Sequence, residues 1–418
     1  MRFKGFDDEW VIKRLDEISE INPKTRELPE NFVYIDLDSV NNGILTKFNK
    51  INKIDAPSRA QRCLDLNDIL FQTVRPYQMN NFFFELNDCD YVASTGYAQI
   101  KSQIFPRFLY YYLHYYKFVN DVLNRCTGSS YPAINSTDLK KIKIKIPSSF
   151  NEQKLIGDLF HKIDKKIELL ENKYEYYQYF KKYLMQQIFT QKLRFDFKDT
   201  WDKVLLKDVA FIPKKTKLTN VEGLKLLTVK LHTKGIEIND RIKPKLTKRG
   251  RPYYIRRSGE LLIGRQNFHN GGMGIVPKSL DGGICSNAIS SFNVFEDKID
   301  VNYLYYFLAR PEYYIKSERL IGGTGQKEFS EKELLKLKID LPSLEEQNKI
   351  VDFLLNIDHK IELSENQLNK TQEFKKGLLQ QMFVVRINWR CNFKLVKSPS
   401  FNKHLLILKN KIIFIIIK

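Results

Sequence analysis

Residues 152–189 read EQKLIGDLFHKIDKKIELLENKYEYYQYFKKYLMQQIF and residues 346–383 read EQNKIVDFLLNIDHKIELSENQLNKTQEFKKGLLQQMF; at a constant shift of 194, twenty of the 38 positions are identical. The identities include Glu152-Gln153 with Glu346-Gln347, Ile163-Asp164 with Ile357-Asp358 and Gln186-Gln187 with Gln380-Gln381. Self-similarity at one fixed offset means that one structural unit is used twice. The likeness continues upstream: LKKIKIKIP at 139–147 matches LLKLKIDLP at 334–342, and FLYYYL at 108–113 matches YLYYFL at 303–308. Phe6, Trp10, Leu15 and Ile18 likewise match Phe197, Trp201, Leu206 and Val209. Residues 19–90 and 210–285 resemble each other little. The chain is a constant frame, written twice, around two unlike inserts.

Each constant segment opens with Ser-x-x-Glu after a proline, at Ser149–Glu152 and Ser343–Glu346, the capping-box pattern of a helix start. Positions apolar in all but Lys181 then step by four and three through Ile156, Phe160, Ile163, Ile167, Leu170, Tyr174, Tyr177, Lys181, Leu184 and Ile188, which is a heptad seam. The second copy keeps that register with Ile350, Leu354, Ile357, Ile361, Leu368, Leu378 and Met382, but places Ser364, Thr371 and Lys375 on the seam. Its second half is therefore expected to pack less tightly. A helix of this length, about 57 Å at 1.5 Å per residue, is too long to stand alone in water. The nearest mate for each helix is the other, although heptads on a Lys-rich helix, taken alone, more often mark a plain dimerisation coil. Because each helix follows a domain-sized insert, antiparallel pairing would set the inserts at opposite ends, related by approximate two-fold rotation.

Composition limits what the inserts do. The chain of 418 residues carries +20; eight positive and no negative charges fall in residues 384–418, so the remainder carries +12. Such a balance points to a polyanion, nucleic acid before an anionic membrane surface. The cysteines at 63, 89, 126, 285 and 391 are odd in number and scattered, a pattern of neither a disulfide framework nor a zinc site. The polar first ten residues and the lack of about 18 consecutive uncharged apolar residues argue against export and membrane insertion. A cytoplasmic setting is expected.

Within the inserts, short apolar runs at 32–37, 68–74, 224–231 and 260–264, broken by Asn, Gly, Asp and Pro, predict strands and turns, with helices after Pro106 and Val301. Residues 230–257 hold ten Lys or Arg, among them Lys245, Lys248, Arg249, Arg251, Arg256 and Arg257, with Tyr253 and Tyr254 interleaved. Cations beside aromatics suit a surface that tracks phosphates, and a solvated loop is the plainer reading of the charge run taken alone. Arg249-Gly250-Arg251-Pro252 resembles the core of an AT-hook, which would lay arginines in a minor groove. In the first insert, Arg59 and Arg62 lie on loop-like ground, and Arg75-Pro76-Tyr77 follows an apolar strand. Gly264-Arg265-Gln266-Asn267 follows the matching strand of the second. Arginine pairs with guanine, and Gln or Asn with adenine, so these strand ends are candidate base readers; contact with phosphate alone is the competing reading.

Catalytic patterns are missing. Gly322–Lys327 has glycines but not the lysine spacing of a nucleotide-binding loop, Asn22-Pro23-Lys24 stops short of an adenine methyltransferase motif, and the six histidines form no ligand cluster. The repeated pattern does resemble the specificity subunit of type I restriction-modification systems over residues 1–383. The motifs that carry this are 139–153 and 334–347 with the helices that follow, the aromatic helices at 108 and 303, and Gly322-Gly323-Thr324-Gly325-Gln326.

That resemblance implies an α+β chain: two pseudo-symmetric mixed α/β target-recognition domains, 1–147 and 193–342, separated by long antiparallel coiled-coil helices, 148–192 and 343–384. It implies a non-catalytic subunit that reads a two-part, asymmetric target on double-stranded DNA. The implied partners are two adenine methyltransferase (modification) subunits and restriction/translocase subunits; S-adenosylmethionine, ATP and Mg would bind those partners, and no metal or cofactor this chain. The basic, isoleucine-ended tail at 385–418 lies outside the family pattern and is expected to have no role. Two other readings stay open, the separated recognition half of another restriction enzyme or methyltransferase and a coiled-coil scaffold with no DNA role.

Overall fold

The structure, a computed structural model, describes residues 2–86, 90–247, 250–317 and 328–383. It divides into two compact units, one of Met1–Lys162 with Phe374–Lys418 and one of Ile163–Glu373. Four helices carry the frame: α1 (Pro106–Tyr112), α2 (Phe150–Phe189), α3 (Val301–Leu308) and α4 (Leu344–Phe383). The long helices start just after Ser149 and Ser343, as the proline and serine signals predict.

In the first unit a four-stranded sheet runs in the order Ser19–Ile21, Tyr97–Ser102, Ile69–Gln72, Phe82–Phe83. The second unit repeats that order with Ala210–Phe211, Ile289–Val294, Leu261–Gly264, Met273–Ile275. A two-stranded ribbon closes each frame, Val11–Arg14 against Lys143–Ile146 and Asp202–Leu205 against Lys338–Leu341, both antiparallel. The inserts differ in what they add. The first builds a second four-stranded sheet from Asn49–Asn52, Asn31–Ile35, Tyr91–Ser94 and Ala60–Cys63. Among the described residues the second adds two short ribbons, Leu227–Val229 with Ile236–Ile238 and Tyr253–Ile255 with Ile284–Ser286.

The two helical segments in the second unit pair antiparallel: Glu171 accepts from Gln372 Nε2 at 3.1 Å, while Lys181 lies 2.5 Å from Asp358. Ile156, Phe160, Ile163, Ile350, Leu354, Ile357 and Leu368 are buried, and Ile167, Leu170 and Ile361 are half-buried. The second half of α4 divides in two: from 369 to 377, around Thr371 and Lys375, no residue is buried, as the polar seam positions predict, whereas Leu378, Leu379, Met382 and Phe383 beyond it are buried. The reason is that helix ends pack into domain cores. Leu184, Ile188, Phe189, Ile350 and Leu354 share one hydrophobic cluster with Trp201, Tyr303 and Phe307.

The Ser-x-x-Glu segments also do more than cap. Glu152 is fully buried and accepts from Arg2 Nε and Nη2 at 2.7 and 2.8 Å and from Trp10 Nε1 at 3.4 Å. Glu346 repeats this with Arg194 at 3.0 and 2.7 Å and Trp201 at 3.0 Å. The adjoining glutamines tie each long helix to a short aromatic one: Gln153 Oε1 accepts from Phe105 N, at the start of α1, and Gln347 Oε1 from Asp300 N. Asp300 in turn caps α3 through Asn302 N and Tyr303 N. Fixing a buried carboxylate with a bidentate guanidinium and an indole satisfies it without water.

Candidate nucleic-acid interface

The strand Ile69–Gln72 and the loop after it form one wall of a cleft of about 870 Å³ in the first unit. Arg59, Arg75, Gln72, Asn80, Asp36 and Tyr131 line it. Arg75 adopts a left-handed backbone, φ 54° and ψ 53°, and Met79 does the same at φ 53°, bracketing the short turn Pro76–Gln78. Such conformations are costly for residues with a Cβ, so neighbouring bonds must hold them. They do: Arg75 N donates to Pro132 O at 2.7 Å, and Asn80 N to Gln72 Oε1 at 3.1 Å. The Arg75 guanidinium lies over the Tyr131 ring, 4.2 Å from its centroid, a cation–π contact that favours this placement of the planar fork.

Arg59 and Tyr77 are exposed beside this cleft. Arg62 is half-buried, its Nε lacks a hydrogen-bond partner, and burial holds its guanidinium below the usual arginine range. The structure thus gathers Arg59, Arg75 and Tyr77 into one surface and turns Arg62 partly inward. It adds Tyr131, which the sequence reading missed; Tyr131 is brought to Arg75 by the bridge of Val74 to Ala133 and the bond of Arg75 N to Pro132 O.

In the second unit Lys245, Arg251 and Arg257 are exposed, and Tyr253 and Tyr254 half-buried. Lys248 and Arg249, the first arginine of the AT-hook-like core, lie outside the described residues, as do Gly322–Gln326 and the tail from 385 onward. Arg257 lies 3.4 Å from Asp281. Arg256 is not on the surface: it is 1% exposed, Nη2 donates to Ile289 O at 2.8 Å, and its Cζ sits 5.8 Å from the Tyr254 ring. Arg265 is occupied too, with Nε on Phe329 O at 2.9 Å and Nη2 at 3.1 Å from Glu328, while Gln266 Nε2 reaches Glu328 at 3.4 Å. A charge run in sequence therefore separates into outward cations and inward clamps.

Among the described residues, no three or more His, Cys, Asp or Glu are placed to hold a metal ion, and no helix is long and apolar enough to cross a membrane.

Two copies of one α+β frame, each closed by the end of a long helix and each carrying a different insert, define a tandem two-domain recognition protein. The profile of the type I restriction modification DNA specificity domain matches residues 7–176 and 198–373, so the chain belongs to that family. The type I restriction enzyme MjaVIII specificity subunit of Methanocaldococcus jannaschii is 25% identical over 280 residues, which span 62% of this chain and 65% of that protein. That is just under two thirds of the relative's length. The putative type I restriction enzyme MjaX specificity subunit of the same organism is 26% identical over 311 residues, 69% of each chain. The crystal structure of a type I restriction-modification system S subunit from M. genitalium shares the fold, with a TM-score of 0.59 at 15% identity over 92% of this chain and 98% of that one.

Proposed function

We propose that this chain is the sequence-reading subunit of a type I restriction-modification complex. The first insert reads one half of a bipartite target on double-stranded DNA and the second reads the other. The paired helices set the unspecified spacer between the halves and seat two methyltransferase (modification) subunits, which restriction/translocase subunits join. Methylation of adenine with S-adenosylmethionine, and ATP- and Mg-driven restriction, belong to those partners in the cytoplasm. The observation that carries this reading is the pairing of like with unlike: the frame sheets keep one strand order, while the inserts they hold differ in strand number and in exposed cations. A scaffold needs no such divergence, whereas two readers of different half-sites require it.

In this reading Arg59, Arg75 and Tyr77 of the first unit and Lys245, Lys248, Arg249, Arg251, Tyr253, Tyr254 and Arg257 of the second meet the duplex, and Arg62, Arg256, Arg265 and Gln266 hold those surfaces in shape. The test is to express the chain with its modification subunit, map methylated adenines across a genome, and then replace residues 19–145. A bipartite motif in which one half alone changes supports the reading; a continuous motif, or both halves changing, overturns it. Retention on DNA that falls steeply with added salt, as counterion release demands, separates the reading from a scaffold, which retains none.

A further inference from the structure

We propose that Arg75 reads a guanine in the major groove of the first half-site, with Tyr131 as its positioning residue; the inference rests on the DNA-reading function proposed above. Three observations converge. The guanidinium lies over the Tyr131 ring, Cζ 4.2 Å from its centroid, so the ring limits where the fork can swing before any ligand arrives. Its backbone is pinned in the left-handed region by the bond to Pro132 O, at 2.7 Å, so the residue cannot swing with the loop. And among the described residues no carboxylate pairs with it, whereas Arg26, Arg107, Arg257 and Arg265 each meet one.

Its neighbours narrow the ligand. Gln72, one of the planar donors at this wall, is occupied at both ends: Nε2 donates to Gln78 Oε1 at 2.8 Å and Oε1 accepts from Asn80 N at 3.1 Å. Asn80 Oδ1 accepts from Asn42 N at 3.1 Å. Asp36 lines the same cleft, its carboxylate accepting from Ser39 Oγ and Asp38 N. Asp38 lines the cleft as well, but so do Lys47 and Arg59, so the choice of a base edge rests on the geometry of the fork and not on charge. A planar guanidinium whose swing is limited matches the paired O6 and N7 acceptors of guanine, which no other base presents in that groove. Arg59, exposed at the rim, suits phosphate contact instead.

The test uses the full chain with its modification subunit and duplexes in which each base pair of the mapped target is changed in turn. Arg75→Lys keeps the charge but loses the fork. It should abolish the preference for guanine at one position of the first half-site, a loss of roughly ten- to hundredfold in discrimination. Preference at every other position, and the second half-site, should stay as they were. Tyr131→Ala should weaken the same single position, and Tyr131→Phe, which keeps the ring, should restore it. If Arg75→Lys lowers affinity equally on all duplexes, or leaves every preference intact, Arg75 touches backbone or nothing and the inference is overturned. If the unaltered chain binds DNA without sequence preference, or not at all, the parent reading fails, a different result from either of these.

Discussion

Phe383, from the end of the second repeat, stacks on Phe160, near the start of the first long helix, with ring centroids 6.0 Å apart and planes 17° from parallel. Around it stand Trp10, Phe108, Tyr112 and Tyr115, at 6.4, 5.7, 5.0 and 5.8 Å. Phe189 plays the same part in the second unit against Trp201, Tyr303 and Phe307. The first domain is thus completed by the end of the second repeat.

That closure makes the first domain depend on residues from the far end of the sequence. Phe383→Ala should destabilise it by about 3–5 kcal/mol, the usual result of emptying a packed aromatic site. A chain ending after Val384 should keep full stability and DNA retention, while one ending after Gly377 should lose amide-exchange protection across α1. Equal behaviour of the two shortened chains would refute the closure.

The buried carboxylates give a second expectation. Glu346 has side-chain exposure of 2% and Arg194 of 19%, so Glu346→Gln leaves an unbalanced guanidinium and should lower stability by about 3 kcal/mol. Glu152→Gln should cost less, because Arg2 is 30% exposed and Trp10 is at the longer distance of 3.4 Å. Urea unfolding of both variants reads the difference, and a larger loss for Glu152→Gln would reverse the ranking.

Asp68, buried at the start of the strand Ile69–Gln72, accepts from Asp65 N at 2.8 Å and Gln99 Nε2 at 2.6 Å, yet burial pushes its pKa from 3.8 up to about 6. The folded chain therefore keeps this proton at pH values where the unfolded chain has lost it. Its contribution to stability is greatest at and below 3.8, falls as pH rises to about 6, and is level above that. The fall should reach up to about 3 kcal/mol, and Asp68→Asn should remove it. Denaturation midpoints measured from pH 4 to 7 decide; identical slopes in both proteins would rule Asp68 out.

On the seam of the second unit, Lys181 Nζ lies 2.5 Å from Asp358 and 5.0 Å from the Tyr306 ring, and Tyr306 donates its hydroxyl to Asp358 at 2.7 Å. A polar group at a heptad seam fixes register at some expense of stability. A double-mutant cycle of Lys181→Met and Asp358→Asn should give a coupling of about 1 kcal/mol that shrinks with salt. Additive losses would show the pair to be incidental.

The repeat, the two helix starts, the heptad seam and the frame strands are legible in the sequence, because local periodicity and a constant shift of 194 need no knowledge of contacts. Ser364 and Thr371 illustrate the limit. As polar residues on the seam they suggest a loose end, but their hydroxyls return to Lys360 O and Gln367 O, and the helix end beyond them is buried. Likewise Arg75 and Arg256 look alike in a list of basic residues. Only the fold sets one on Tyr131 at a cleft wall and seals the other at 1% exposure beneath a ribbon. The sequence by itself determined that there are two frames with unlike inserts. Tertiary structure alone decided which helix end closes which domain and which cations face outward, since both are set by burial among residues far apart along the chain.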